Sequence, residues 1–377
     1  MQRASKVRII FFCLLLMLAA IILLVREHRP SFLRPGLRLY AYVSTADNSI
    51  SVVDLIKLTT VAHVPVGGAI SAMREHPTRA EVWGVSSNGG FAWVLDSRTS
   101  QIISHIRVGA LPYSLDFSPD GNHVYVPASG SNFLTVIDCN SRQVVAHSAT
   151  GSQPVAARVS HDGKLVLVLN KGAATVGIYD AATLELRNTI DVIPDPEDAA
   201  ILLDNSAAFI LSRTQKRLSL IDLRKGLLLT NLELAGIPSQ MILKPDGGEL
   251  FVLSPESHGL QVINTWTHEV GDYMVLGSAP IRGALLADIG VLYVSDAASG
   301  NVTPVDINFR RVSRPIPAGQ TPGSLRFDPG DKPRLLLVVS QASGDLSIIR
   351  ITPGRVGGLL TMIPVGDQPR ELAVKLF

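Results

Sequence analysis

The chain has 377 residues, 46% hydrophobic and 18% charged, which excludes a disordered polymer and allows a large core. Lys plus Arg number 34 against 32 for Asp plus Glu, and a net charge of +2 gives no field suited to nucleic acid. The two cysteines, Cys13 and Cys139, exclude a disulfide framework and a four-thiolate zinc site, and no Cys-x-x-Cys-His exists for covalent haem attachment.

The first element is apolar. Ile9 to Val25 carries no charge, and 13 of its 17 residues are Leu, Ile, Phe or Val. At about 0.3 to 0.6 kcal/mol each, these favour insertion by roughly 4 to 8 kcal/mol. No small-x-small cleavage site follows between Ile21 and Arg26. Residues 1–26 therefore read as an uncleaved single-pass signal anchor in the lipid bilayer, and residues 27–36, with Pro30 and Pro35, as a short linker. Basic residues flank both ends, and the reading places the rest of the chain on the periplasmic or extracellular side.

Residues 37–377 are repetitive. Prolines at 112, 154, 196, 238, 280 and 322 stand 42 residues apart; Ile70 takes the preceding place, and Pro369 follows after 47 because the last unit holds five extra residues. A second ladder, Asp54, Asp96, Asp138, Asp180, Asp222, Asn264 and Asp306, has the same period, and Arg350 takes its eighth place. In one unit, Tyr113 to Ser118, Val124 to Val126, Leu134 to Asp138 and Gln143 to His147 read as four short strands separated by polar turns. Four strands in about 42 residues are the pattern of a propeller blade, so the fold class is all-β, an eight-bladed β-propeller, with a seven-bladed ring as the alternative. The first unit begins at its second strand, so the strands within 39–66 are expected to pair with 370–376 and close the ring.

The repeats resemble the YVTN-type β-propeller repeats of exported bacterial and archaeal proteins. The resemblance rests on Tyr42-Val43-Ser44-Thr45, Tyr125-Val126-Pro127-Ala128 and Tyr293-Val294-Ser295-Asp296, together with Ser118-Pro119-Asp120-Gly121 and Val108-Gly109 before Pro112. It implies the fold over residues 37 to 377, while the functions of that family are diverse.

Candidate chemistry is sparse. His63, His105 and His147 lie one repeat apart on outer strands, too far from one another for a shared metal, so no metal site is assigned. Asp120-Gly121, Asp162-Gly163 and Asp246-Gly247 read as turns. There is no Gly-x-Ser-x-Gly elbow, phosphate loop or calcium loop. The channel mouth remains, where each innermost strand begins. The candidate ligand-binding residues are Arg74, Asp116, Arg158, Asp198, Gln240, Arg282, Arg326 and Glu371, which either grip an anionic group or pair between neighbouring blades. The reading that follows is a membrane-anchored, non-catalytic binding scaffold with no catalytic residue and no cofactor, whose partner is an unidentified protein, glycan or anionic small molecule. The alternative is a propeller enzyme, such as a lactone hydrolase or a haem- or quinone-dependent oxidoreductase, since the haem domain of cytochrome nitrite reductases is an eight-bladed relative. Haem would need an axial histidine at the mouth, and His76 is the one roughly placed.

Overall fold

The Asp ladder has a direct physical cause. In the seven repeats that carry Asp or Asn the side chain accepts a hydrogen bond from the backbone amide two residues on, three residues on, or both, as in Asp96 with Arg98 (2.7 Å), Asp222 with Arg224 (2.9 Å) and Lys225 (2.8 Å), and Asn264 with Trp266 (2.9 Å) and Thr267 (3.0 Å). A short polar side chain thus satisfies the amides of the turn between the third and fourth strands. The Asp-Gly pairs likewise form turns: Asp120 accepts from Ser118 (2.5 Å) and from the amide of Asn122 (3.0 Å), while Gly121 supplies a φ of 72° that a side chain would oppose.

These turns connect antiparallel strands into eight sheets in the computed structural model, which describes residues 38–330, 334–352 and 355–377. Blade 1 combines Leu39–Ser44, Ser49–Asp54 and Thr59–Pro65 with the C-terminal strand Leu372–Leu376. Blades 2 to 8 begin at Ile70, Asp116, Pro154, Pro196, Gln240, Pro280 and Pro322. The eight-bladed reading holds and the seven-bladed alternative falls. The expected membrane segment (1–26) and linker (27–36) lie outside the described residues; among the described residues, no helix is long and apolar enough to cross a membrane.

Two local departures have clear reasons. The innermost strand of blade 3 shrinks to Asp116–Phe117, with Pro112 bridging Ala128 alone, because the stretch between them turns into the mouth instead of pairing. The five extra residues of the last unit lengthen its outer hairpin, Asp345–Thr352 with Arg355–Pro364, and leave the ring unchanged.

The core is divided. Among the described residues, eight hydrophobic clusters lie one between each pair of adjacent blades, such as Trp83, Val94 and Phe117 between blades 2 and 3. The cluster joining blades 8 and 1 contains Leu337, Val339, Leu346, Val53, Leu372 and Val374. Ala41 pairs with Val374 and Val43 with Leu372, so the ring closes through a sheet made from both ends of the domain. Polar clasps recur with the period: Arg142 of blade 3 reaches Glu81 of blade 2 at 2.6 Å, and Arg310 of blade 7 bonds Glu249 of blade 6 in the same way.

If closure carries the stability, Leu372→Ala lowers it by about 2 to 5 kcal/mol, whereas Val145→Ala on the exposed outer strand of blade 3 changes it by less than about 0.5 kcal/mol. Urea unfolding curves of the two variants check this; equal effects contradict it.

Candidate active site at the channel mouth

In every blade the innermost strand starts at one end of the ring, where the turns between second and third strands also arrive. Their side chains enclose a cavity of about 640 Å³ lined by Arg74, Tyr113, Arg158, Arg326 and Glu371, and also by Lys171, Glu197, Asp198 and Arg213. Five cationic and three anionic side chains face this volume.

Much of that charge is paired across blades. Arg74 Nη1 lies 2.9 Å from Asp116 Oδ1, and Arg158 Nη2 lies 2.5 Å from Asp198 Oδ1. Asp116 also accepts the amide of Val159 (2.9 Å), and Asp198 that of Ala199 (2.9 Å). Glu197 holds both Lys171 (2.5 Å) and Arg213 (2.6 Å). Burial works against ionisation of Asp198 and Glu197, yet Arg158 in one case and Lys171 with Arg213 in the other outweigh it, so both carboxyls titrate below their ordinary range. Burial likewise opposes the Arg158 charge, but Asp198 and Asp116 hold its pKa above the usual value. Arg74 keeps 42% of its side-chain surface because it borders the cavity, but it lies deep enough for burial to lower its pKa.

The other predicted residues behave differently. Gln240 latches blade 6 to blade 7: its Oε1 accepts the Gly283 amide (2.8 Å) and its Nε2 donates to the Gly283 carbonyl (3.3 Å). Arg282 donates to the carbonyls of Ser239 (2.9 Å) and Ile281 (3.4 Å), and Arg326 to that of Leu325 (3.1 Å). The Glu371 carboxylate makes no hydrogen bond or ion pair among the described residues; burial pushes its carboxyl above the ordinary range against the pull of Arg326, Arg282 and Arg74. Lys171, Glu197 and Arg213 were not legible, because Glu197 sits one place beside the inner-strand position Asp198, and Lys171 and Arg213 lie in the turns that follow the second strands of blades 4 and 5.

His76 is not at the mouth. It ends the innermost strand of blade 2 at the opposite end of the ring, fully buried; Nε2 bonds the carbonyl of Gly121 (2.8 Å), and Nδ1 accepts the amides of Thr78 (3.2 Å) and Arg79 (3.1 Å). It clasps two turns. The histidine ladder is also structural: His63 meets Ser51 (2.9 Å), His105 the carbonyl of Val66 (2.9 Å) and His147 Thr135 (3.0 Å). Among the described residues, no group of three or more His, Cys, Asp or Glu is arranged to hold a metal ion.

Comparison with known proteins adds a direction to this geometry. Residues 81–223, less than half of the chain, match the model of the Cytochrome D1 heme domain family. No curated protein matches the sequence. Among solved structures, the dihydro-heme d1 dehydrogenase NirN, in complex with DHE, is 16% identical with a TM-score of 0.76, covering 92% of this chain and 77% of that one. Hydrazine synthase of Kuenenia stuttgartiensis is 17% identical with a TM-score of 0.60, covering 75% of this chain and 96% of its own. A protein of unknown function from Desulfotomaculum acetoxidans is 14% identical with a TM-score of 0.59, over 73% and 94%. At these identities the structural likeness carries the β-propeller fold alone. The matching family model is that of the haem domain, and the YVTN type suggested by the repeats does not appear among these matches. The expectation of a non-catalytic scaffold is corrected by that match, which favours the haem-dependent alternative.

The role of His76 is testable through pH. Burial lowers its pKa from 6.5, so the folded protein binds its proton less readily than the unfolded chain, and stability falls as pH drops below about 6.5. His76→Gln should flatten that part of the stability profile in thermal denaturation between pH 7 and pH 5; an unchanged slope contradicts the assignment.

Proposed function

We propose that the propeller binds a haem-class tetrapyrrole at its mouth and works as a haem-binding redox protein. The observation that carries this reading is the excess of cationic over anionic side chains around a cavity of about 640 Å³, a size suited to one organic ligand. Carboxylates on the edge of such a ring match guanidinium groups, which bind them through paired, charge-assisted hydrogen bonds. Of the arginines that line the cavity, Arg74, Arg158 and Arg213 each have a carboxylate partner, and Arg326, which has no ion pair among the described residues, would hold that edge. Among the described residues, no histidine lines it, so the side chain best suited to an iron centre is Tyr113, whose ring is 44% exposed at the rim; a phenolic oxygen is an established haem ligand. When bound, the ring supplies an iron that changes oxidation state. The protein's own part is to bind the ring edge, exclude water beneath it and fix the charge around it.

Titration of the full chain with haemin should give a saturable one-to-one shift of the Soret band, and Tyr113→Phe should alter the visible spectrum while the ring stays bound. Absence of binding by both haemin and iron-free protoporphyrin IX overturns the reading.

The same proposal places the propeller outside the cytoplasm, tethered by the apolar stretch Ile9 to Val25, a placement supported by the resemblance of its repeats to those of exported proteins. The expressed protein should stay in the membrane pellet after alkaline carbonate extraction, and its propeller should be cut by protease added to spheroplasts. Release by carbonate, or protection from protease in intact spheroplasts, contradicts this.

A further inference from the structure

We infer that the anion-binding element of the mouth is the arc formed by blades 7, 8 and 1, where Arg282 and Arg326 take a carboxylate of the ligand and Glu371 is the internal carboxylate it displaces. This deepens the reading above and rests on it for the identity of the ligand, though not for the existence of the site.

The eight blades supply equivalent positions, but their charges are not equivalently used. On the arc of blades 2 to 5, every lining cation already has a carboxylate: Arg74 has Asp116, Arg158 has Asp198, and Lys171 and Arg213 share Glu197. Adding Asp116 and Arg282 to the charged residues of the lining gives six cations against four anions; one of the two surplus charges lies where Lys171 and Arg213 share Glu197, and the other on Arg282 and Arg326, which have no ion-paired carboxylate among the described residues. Their hydrogen bonds go to the carbonyls of Ser239, Ile281 and Leu325, which satisfy N–H donors but neutralise no charge. A guanidinium has five N–H donors, so both keep donors for an incoming anion.

Glu371 is the counterpart. Its backbone is pinned to blade 1: the amide donates to Ser44 Oγ at 2.9 Å and the carbonyl accepts the Ser44 amide at 3.0 Å. The side chain lines the cavity and is half-buried without a bonded partner among the described residues. The charged groups facing it are Arg326 from blade 8, Arg282 from blade 7 and Arg74 from blade 2, none of which titrates near neutrality. Burial nevertheless holds its carboxyl above the ordinary range, so proton uptake by Glu371 is the easy response when another carboxylate claims the same arginines. Charge then balances: one ligand carboxylate and one proton enter, and the proton ends on Glu371. Affinity should rise as pH falls. None of Arg282, Arg326 and Glu371 lies within residues 81–223, so the family match does not assign them.

The test uses the full chain in nanodiscs and two probes, benzenehexacarboxylate, a polycarboxylate without iron or a large ring, and protoporphyrin IX. Binding is read by calorimetry in buffers of different ionisation enthalpy, with circular dichroism as the check on folding. The double variant Arg282→Met/Arg326→Met should weaken the polycarboxylate by about tenfold or more, while Arg213→Met weakens it by less than about threefold. Glu371→Gln, which keeps shape and removes the titration, should tighten it and abolish both proton uptake and the rise in affinity from pH 8 to pH 6. Failure of the folded wild type to bind the polycarboxylate, an unchanged affinity in the double variant, or an equal loss in Arg213→Met overturns the inference. If the polycarboxylate behaves as stated and protoporphyrin IX does not bind, the anion site stands and the tetrapyrrole reading falls.

Discussion

The pairing of Leu39–Ser44 with Leu372–Leu376 is the constraint on which the rest of the molecule depends. Each blade is a small sheet that cannot bury both faces alone, and stacking it against neighbours supplies the missing apolar contact. In a linear array the first and last sheets would keep a bare face and an open edge. Completing blade 1 from both chain ends removes these at once, and the cluster between blades 8 and 1 is as fully buried as the other seven. Closure also fixes the distance of every innermost strand from one axis, and so creates the mouth.

That geometry sets the electrostatic problem at the mouth. Like charges from eight similar repeats would repel one another around a narrow opening, and the chain answers with ion pairs between adjacent blades on one arc. Partial desolvation makes such pairs strongly dependent on each partner, because loss of one leaves a charge without compensation. The opposite arc keeps two guanidinium groups and one carboxylate in loose electrostatic balance, without direct pairing. A ring whose stability comes from apolar layers between blades can carry an unresolved charge pattern at its centre, and such a pattern is where an anionic ligand has something to gain.

Much of the fold was legible because the repeat is physical. The Asp ladder marks side chains that cap one turn per blade, and the Pro ladder marks entry into each innermost strand, so both recur wherever the blade recurs. The mouth was legible only in part. Arg74, Asp116, Arg158 and Asp198 stand at repeat positions and proved to pair across blades, with Arg158 choosing Asp198. Lys171 and Arg213 come from turns between second and third strands, whose approach to the axis depends on blade tilt and not on sequence period. His76 misled because it stands six residues past the start of the strand, a full strand length that carries it from the mouth to the far end. The partners of Cys139, buried between blades 2 and 3, were beyond reach for the same reason; burial raises its thiol to about 12, and it packs as a small apolar side chain.

The central claim, that head and tail of the domain share one sheet, is tested most directly by amide hydrogen exchange of the full chain. The account predicts that the amides of Leu372–Leu376 and Leu39–Ser44 exchange as slowly as those of Leu165–Asn170 inside blade 4. Exchange of Leu372–Leu376 at the rate of a free terminal segment, with blade 4 still protected, would contradict it.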